Sequence, residues 1–197
     1  TAREQVASLI GASPLEITFT SGATESNNLA IFGAAKGLAK KGDTRRHIIT
    51  SKIEHKAILE ACELLEDDGY KVTYLTPTKE GIITSEMVED AIDEDTFLVS
   101  IAQANSVLGA ISDVHAIASV CKKHQVFFHT DTAQSIGYLK MDYDHSDIDM
   151  VSLTAEKVCG PKGVGALYVR RSSNVPLFAQ IYGGGQEKGL RGGTVPT

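Results

Sequence analysis

Apolar runs of strand length alternate with amphipathic runs of helix length along this chain, and this alternation constrains its fold more than any other feature. Residues 47–50 and 97–101 have the short apolar composition of buried strands, and the helical spacing of apolar residues in 56–65 lies between them. Parallel neighbouring strands need a long crossover connection, which a helix supplies. The sequence therefore predicts an α/β fold with a mainly parallel sheet.

The same patterns locate the remaining elements. The predicted strands are 17–19, 47–50, 71–75, 97–101, 126–129, 150–153 and 165–170, and the predicted helices are 1–10, 30–39, 56–65, 85–91 and 116–123. The last strand follows a turn of only seven residues, 158–164, which is too short for a helical crossover, so this strand is predicted to run antiparallel to its neighbour. The expected architecture is a three-layer sandwich, with helices on both faces of a mixed sheet that contains one antiparallel strand.

Composition excludes several classes of function. The 197 residues, 42% of them hydrophobic, are enough for one sizeable core, so we expect a single domain with at most a small appendage. The net charge of −6 offers no basic surface, so nucleic acid is not expected as a partner. The three cysteines lack the paired spacing of metal sites and are odd in number, so neither a metal nor a disulfide framework is expected.

The sequence also carries expectations about location. No apolar stretch approaches the ~18 residues that a membrane span requires. Thr1 begins directly in a helical pattern, without the architecture of a signal peptide. We therefore expect no membrane partner and a cytoplasmic location. Both ends look cut, since the first helix has no approach segment and residues 191–197 stop in a loop, so we expect a piece of a larger protein.

Polar residues cluster immediately after the predicted strands. They are Ser21–Ser26, His55, Asn105, Asp131–Gln134 and Thr154–Lys157. Ligands of open α/β sheets bind beyond the carboxyl ends of the strands. We therefore expect these residues to converge on one cleft.

The stretch Ser21–Ser26 (SGATES) combines a glycine with hydroxyl residues between a strand and a helix. Backbone N–H groups at such a helix start bind phosphate, because the helix dipole and the unpaired amides both favour an anion. The alternative is an ordinary helix cap made by Thr24 or Ser21. The stretch lacks the glycine spacing and the lysine of a nucleotide P-loop, so a small phosphorylated cofactor fits better than ATP.

Lys157 follows a buried strand and is the principal catalytic candidate. Burial at that point would remove hydration from the ammonium and leave part of the population as a neutral amine, which can form a Schiff base with a carbonyl. The alternative is a surface lysine in a strand-to-turn connection.

His55 and Asp131 also admit two interpretations each. His55 is either a capping or core residue, or an imidazole that stacks on a planar ring and transfers a proton. Asp131 ends a buried apolar run and needs a cation or a strong donor, which a protonated pyridine nitrogen would provide. Its alternative is a helix-capping aspartate. If Gln134 lies near a ring hydroxyl and Lys157 bonds an aldehyde, these residues together with Asp131 match the binding site of an electron-sink cofactor.

Taken together, these stretches resemble the cysteine desulfurases, within the fold-type I, aminotransferase class V group of pyridoxal-phosphate enzymes. The resemblance covers essentially all of the chain. It is carried by SGATES at 21–26, EHK at 54–56, HTDTAQ at 129–134, KVCGPKGVGALY at 157–168, GGGQE at 183–187 and RGGT at 191–194.

The resemblance implies a role for each site residue. Residues 1–197 would be the large, cofactor-binding domain of a pyridoxal-phosphate-dependent transferase, incomplete at both ends and without the small C-terminal domain. Lys157 would form the internal aldimine, and His55 would stack on the ring and assist proton transfer. The remaining cofactor contacts would be Asp131 to the pyridine nitrogen, Gln134 to the phenolate, and Ala23, Thr24 and Thr154 to the phosphate, with Thr194 reaching the phosphate of the other subunit in a homodimer.

The resemblance also implies the reaction. L-Cysteine would be converted to L-alanine, and its sulfur would pass to an enzyme cysteine or an acceptor protein for iron–sulfur cluster assembly. Cys62 and Cys121 are expected in the core rather than in that transfer, and Cys159 precedes a structural turn.

The sequence departs from the family pattern in three places. Glu156 stands where the family typically has a histidine, and its carboxylate would repel a phosphate unless it turns away. Asn105 and Ser106, expected at the substrate, belong to an Asn-Ser-Val stretch where the family has Asn-Asn-Glu, and Gln103 replaces a histidine. Two alternatives follow: a related lyase or aminotransferase acting on another small amino acid, or a non-catalytic scaffold that retains the fold.

Overall fold

A computed structural model describes residues 1–143 and 145–194. Its strands form one seven-stranded sheet in the order β1-β7-β6-β5-β4-β2-β3. The strands are β1 (Ile17–Thr20), β2 (His47–Ser51), β3 (Lys71–Leu75), β4 (Thr96–Ser100), β5 (Phe127–Asp131), β6 (Met150–Thr154) and β7 (Gly165–Val169). Each predicted strand is confirmed to within two residues at either end, because apolar runs of this length in an α/β protein are buried on both faces of the sheet.

The predicted reversal of the last strand is also confirmed. β7 pairs antiparallel with β6 on one side and with β1 on the other, whereas the remaining pairs in the sheet are parallel. Gly165, the first residue of β7, lies opposite both Thr20 and Thr154, the last residues of β1 and β6. The start of β7 therefore meets the carboxyl edge of the sheet, where a ligand is expected.

Helices cover both faces of the sheet. They are α1 (Ala2–Leu9), α2 (Ala23–Lys40), α3 (Lys56–Asp67), α4 (Ser85–Ala91) and α5 (Val114–Lys123). Consecutive residues of one strand point to different cores: Ile48 packs in a cluster with α2 and α3, and Ile49 packs in a cluster with α5. This alternation confirms the three-layer sandwich.

The start of α2 was predicted wrongly. The helix begins at Ala23, seven residues before the predicted start at Ala30. Polar side chains in this stretch usually compete with the helical backbone for hydrogen bonds, but here they bond elsewhere. Ser26 Oγ lies 2.8 Å from Thr20 Oγ1, and Glu25 accepts a 2.8 Å bond from the Ser21 amide. These bonds join the first turns of the helix to the residues just before it, so the helix extends toward the sheet edge.

The chain after β7 runs along the outside of α2. Phe178 N donates a 3.0 Å hydrogen bond to Gly33 O, and Leu177 packs against the core cluster that contains α2. A Cβ on Gly37 would overlap the carbonyl oxygen of Pro176, and one on Gly33 would lie 3.1 Å from Phe178 O. These two glycines form a groove on α2, which the segment 176–178 fills.

Further on, the same part of the chain is fixed near the carboxyl edge of the sheet. Arg191 Nε donates a 2.9 Å hydrogen bond to Glu25 Oε1, and Glu187 accepts one of 2.8 Å from the amide of Phe19.

Within residues 1–143 and 145–194, no helix is both long and apolar enough to cross a lipid bilayer.

Candidate active site

A cavity of about 310 Å³ lies at the carboxyl edge of the sheet. Nine of the ten predicted site residues line it: Ala23, Thr24, His55, Asn105, Ser106, Asp131, Gln134, Thr154 and Lys157. The expected convergence of separate strand ends on one cleft is therefore present in the structure. Thr194 is exposed and does not line this cavity.

One end of the cavity is built to receive an anion. Ser21, Gly22, Ala23 and Thr24 line it at the start of α2, and the hydroxyl residue Thr154 faces them from the end of β6. Gly22 occupies the cap position of this 18-residue helix, and no side chain among the described residues makes the cap hydrogen bond. The alternative of a cap made by Thr24 or Ser21 is therefore wrong, and the helix start presents backbone donors and a positive dipole end to the cavity.

Lys157 lies in a short 3₁₀ turn, Glu156–Val158, directly after β6. The prediction that burial strips its ammonium of water is wrong, because 44% of the side chain is exposed. The turn lifts the residue off the sheet edge, so the strand's burial stops at Thr154. The amine still lines the cavity, 3.9 Å from Glu156 Oε1. A bound ligand, rather than the protein alone, would have to exclude water from this amine.

The structure confirms the capping interpretation of His55 and also places the residue at the cavity. Its Nδ1 accepts a 3.1 Å hydrogen bond from Ala57 N and caps α3, while the ring lines the cavity. Because Nδ1 accepts, the neutral ring carries its proton on Nε2. The neutral imidazole can therefore present Nε2–H to the cavity as a hydrogen-bond donor.

Asp131 ends β5 and is only 7% exposed. Its Oδ1 accepts a 2.8 Å bond from Ala133 N, and its Oδ2 accepts a 2.8 Å bond from Asn27 Nδ2. The turn after β5 does not become an α-helix, so the helix-capping alternative for Asp131 is wrong. Among the described residues, two neutral N–H groups and no cation thus hold the Asp131 oxygens.

Sequence reasoning missed Asn27, a residue of α2 with 0% exposure. The error follows from the late predicted start of the helix. Extended back to Ala23, the pattern 27, 30, 31, 34 and 38 has the spacing of one buried helix face. Asn27 then stands out as an amide on an apolar stripe, and a buried amide needs a specific partner.

The loop after β4 forms another wall of the cavity. Asn105 Nδ2 donates 2.7 Å to Ile53 O, and its Oδ1 accepts 2.9 Å bonds from the amides of Val107 and Leu108. Its amide therefore fixes the loop, and Ser106 is exposed at the cavity wall. Gln103 lies outside the cavity, where its Oε1 accepts a 2.6 Å bond from Ser135 Oγ.

Glu54 supports this wall from behind. Ser51 Oγ donates a 2.6 Å bond to Glu54 Oε1, and Ala102 N approaches both carboxylate oxygens at 3.1 and 3.2 Å. Burial raises the pKa of Glu54 to about 7, although these hydrogen bonds oppose the shift. Within residues 1–143 and 145–194, no cluster of His, Cys, Asp and Glu could hold a metal ion.

The cavity thus unites an anion cradle, an amine and a buried carboxylate at the carboxyl edge of an α/β sheet, as in enzymes that bind a planar, phosphorylated, carbonyl-bearing cofactor. The chain belongs to the aminotransferase class V family, whose sequence profile matches residues 1–194.

Curated relatives refine this class. Over 196 residues the chain is 55% identical to the cysteine desulfurase IscS of Tolumonas auensis, and over 197 residues it is 53% identical to that of Photobacterium profundum. Both alignments cover 100% of this chain and 48% of the relative. The chain therefore spans about half the length of the curated relatives it matches.

Solved structures agree with the fold. A structure described as SspA in complex with cysteine superposes with a TM-score of 0.93 at 51% identity, covering 99% of this chain and 55% of that one. DndA from Streptomyces lividans superposes with a TM-score of 0.92 at 45% identity, and the match covers 99% of this chain and 55% of the DndA chain. The architecture is that of this family.

Enzymes of this family use pyridoxal phosphate. The residues of this chain fit that cofactor on structural grounds. The uncapped start of α2 suits a phosphate dianion, the buried Asp131 suits a ring N–H, and the amine of Lys157 suits an aldehyde.

Proposed function

We propose that the protein containing this chain is a pyridoxal-phosphate-dependent cysteine desulfurase. It would convert L-cysteine to L-alanine and pass the sulfur to a thiol of the enzyme or of an acceptor protein, for iron–sulfur cluster assembly. Residues 1–197 would form its cofactor-binding large domain, working in the cytoplasm as a homodimer in which Thr194 reaches the partner's phosphate. The observation that carries the proposal is the convergence of Lys157, Asp131 and the anion cradle on one cavity.

The binding residues act by charge and hydrogen bonding. The amides at the start of α2, with Thr24 and Thr154, hold the phosphate, and Gln134 contacts the phenolate oxygen. Asp131 accepts a hydrogen bond from the ring nitrogen and favours its protonated form. When bound, pyridoxal phosphate supplies an electron sink for negative charge that develops at the substrate carbon.

Two side chains serve proton transfer. The amine of Lys157 takes a proton from the substrate carbon and returns one to the product. His55 assists with a hydrogen bond from Nε2–H, because its cap geometry leaves the hydrogen on that nitrogen. Cys62 does not accept the sulfur, because burial raises the pKa of its thiol to about 12 and sulfur transfer needs a thiolate. Cys121 is buried as well, which confirms the expected core role of both residues.

The proposal is tested by supplying L-cysteine to the protein expressed from its complete reading frame and measuring alanine and sulfide. We expect equal amounts of alanine and transferred sulfur, in the presence of a reducing thiol. Turnover only of cysteine sulfinate or selenocysteine, and not of L-cysteine, would favour the related-lyase alternative. Cofactor binding without turnover of any of the three amino acids would favour the scaffold.

Glu156 is expected to weaken phosphate binding. Its carboxylate lines the same cavity as Ser21–Thr24, so it adds a negative charge where a dianion must bind. We expect Glu156→Gln to tighten pyridoxal phosphate binding about three- to tenfold at low salt, with a smaller gain at high salt. Equilibrium titration by absorbance measures this effect. Pyridoxal, which lacks the phosphate, is the matched control ligand, and an equal gain for both ligands would contradict the repulsion.

A further inference from the structure

Asn27 and Asp131 form a buried contact between α2 and the end of β5. The amide nitrogen lies 2.8 Å from Asp131 Oδ2, and the two residues are 104 positions apart in the chain. Asn27 is fully buried, while Asp131 is 7% exposed and lines the cavity. The contact therefore joins a residue hidden behind the cavity wall to the carboxylate that faces the ligand.

The orientation of the Asn27 amide is fixed by its partner. Only the NH₂ group can face a carboxylate, because the carbonyl oxygen would be repelled. Asn27 Oδ1 is left without a hydrogen-bond partner among the described residues. A buried acceptor without a partner costs free energy, and the neighbouring positions Ala30 and Ile31 on this helix face are apolar. Packing against these apolar neighbours therefore does not by itself account for an amide at position 27, whereas the contact with Asp131 does.

We propose that Asn27 is a positioning residue, which orients Asp131 toward a cationic ring nitrogen without neutralising it. The inference rests on the proposed pyridoxal phosphate site and adds to it a residue that does not touch the cavity. Its ligand class is an aromatic ring that carries a protonated nitrogen.

The chemistry of the donor carries the argument. A lysine or arginine beside Asp131 would pair with its charge and leave little attraction for a cationic ligand. An amide and the backbone N–H of Ala133 fix both oxygens while the full negative charge remains. Each carboxylate oxygen has a second acceptor direction, so the ring N–H can still be bound.

The experiment compares two ligands in the protein expressed from its complete reading frame. One is pyridoxal phosphate, and the other is its deaza analogue, in which a C–H group replaces the ring nitrogen. Both present the same aldehyde and phosphate, so the ratio of their dissociation constants isolates recognition of the nitrogen. The variants are Asn27→Leu and, as the matched control, Asn28→Leu. Asn28 is the neighbouring amide on α2 and bonds Thr24 O and Ala57 O instead of Asp131.

We expect the wild type and Asn28→Leu to prefer pyridoxal phosphate by roughly tenfold or more, as for a hydrogen bond to a charged group. In Asn27→Leu the ratio falls to within about threefold of one, and the unfolding midpoint falls as well, because Asp131 Oδ2 loses its buried donor. If Asn27→Leu does not fold, Asn27→Ala is measured with the same expectation, since alanine favours the helix.

The outcomes separate the two proposals. A wild type that binds neither ligand overturns the proposed function. A wild type that prefers pyridoxal phosphate, with the same preference in the Asn27 variants, overturns only the positioning role. A loss of stability in the Asn27 variants with an unchanged ratio likewise overturns it, since that result assigns Asn27 to the fold alone.

Discussion

Replacing Lys157 with alanine will remove the absorbance band that lysine-bound pyridoxal phosphate gives, and will lower L-cysteine turnover by roughly three orders of magnitude or more. Lys157 is the only lysine among the residues that line the cavity in the described part of the chain. No other amine there is placed to bond the aldehyde or to move a proton at the substrate carbon. An absorbance spectrum of each variant mixed with the cofactor measures the first effect, and alanine release measures the second.

The matched control for this variant is Lys162→Ala. Lys162 is exposed in the turn that follows Lys157 and lies outside the cavity lining. The Lys162→Ala substitution removes the same charge from the same region, and it should leave both the absorbance band and the turnover of L-cysteine unchanged. A band that survives in Lys157→Ala, or that disappears in Lys162→Ala, would place the reactive amine elsewhere.

Replacing Gly165 with alanine will lower the free energy of unfolding by about 3 kcal/mol, the upper range for overpacking. An added Cβ would lie 2.5 Å from Gly22 Cα and 2.7 Å from Leu153 O, which are backbone atoms and cannot move aside as a side chain can. For a chain of this size the thermal midpoint falls about 2–4 °C for each kcal/mol. Thermal and denaturant unfolding monitored by circular dichroism measure the loss.

The same variant should also weaken phosphate binding, because Gly22 is the cap position of the anion cradle. Gly185→Ala is its matched control, since a Cβ at Gly185 has no atom within 4 Å and the backbone there has a negative φ of −105°. We expect the control to unfold like the wild type. Equal stability of Gly165→Ala and Gly185→Ala would show that β7 and the loop at Gly22 can separate without cost.

Most of the sheet was predictable from sequence because strands such as β2, β4 and β6 are short and buried on both faces. Ile48 and Ile49 point to opposite cores, so a continuous apolar run was a sufficient signal. The set of residues at the cavity was predictable for a related reason: the carboxyl ends of parallel strands share one edge. Each strand end could therefore be assigned to the site without knowing the strand order.

The errors come from contacts that connect distant parts of the chain. Asn27 is buried against Asp131, which accepts its hydrogen bond from 104 positions away, and local propensity contains no information about such a partner. The exposure of Lys157 depends on where the turn after β6 leaves the sheet, which a single strand pattern does not specify. Local patterns thus predicted the elements, while the side chains that orient the site depended on tertiary structure.

The direction of β7 has a consequence for the order in which contacting segments are synthesised. This strand ends beside Met150, at the edge of the sheet away from the cavity, so the chain must travel back before Arg191 can bond Glu25. It travels along the groove at Gly33 and Gly37. While the protein is being synthesised, α2 leaves the ribosome long before residues 176–178 exist to fill that groove. Two glycines of α2 are thus matched to a segment that is synthesised much later.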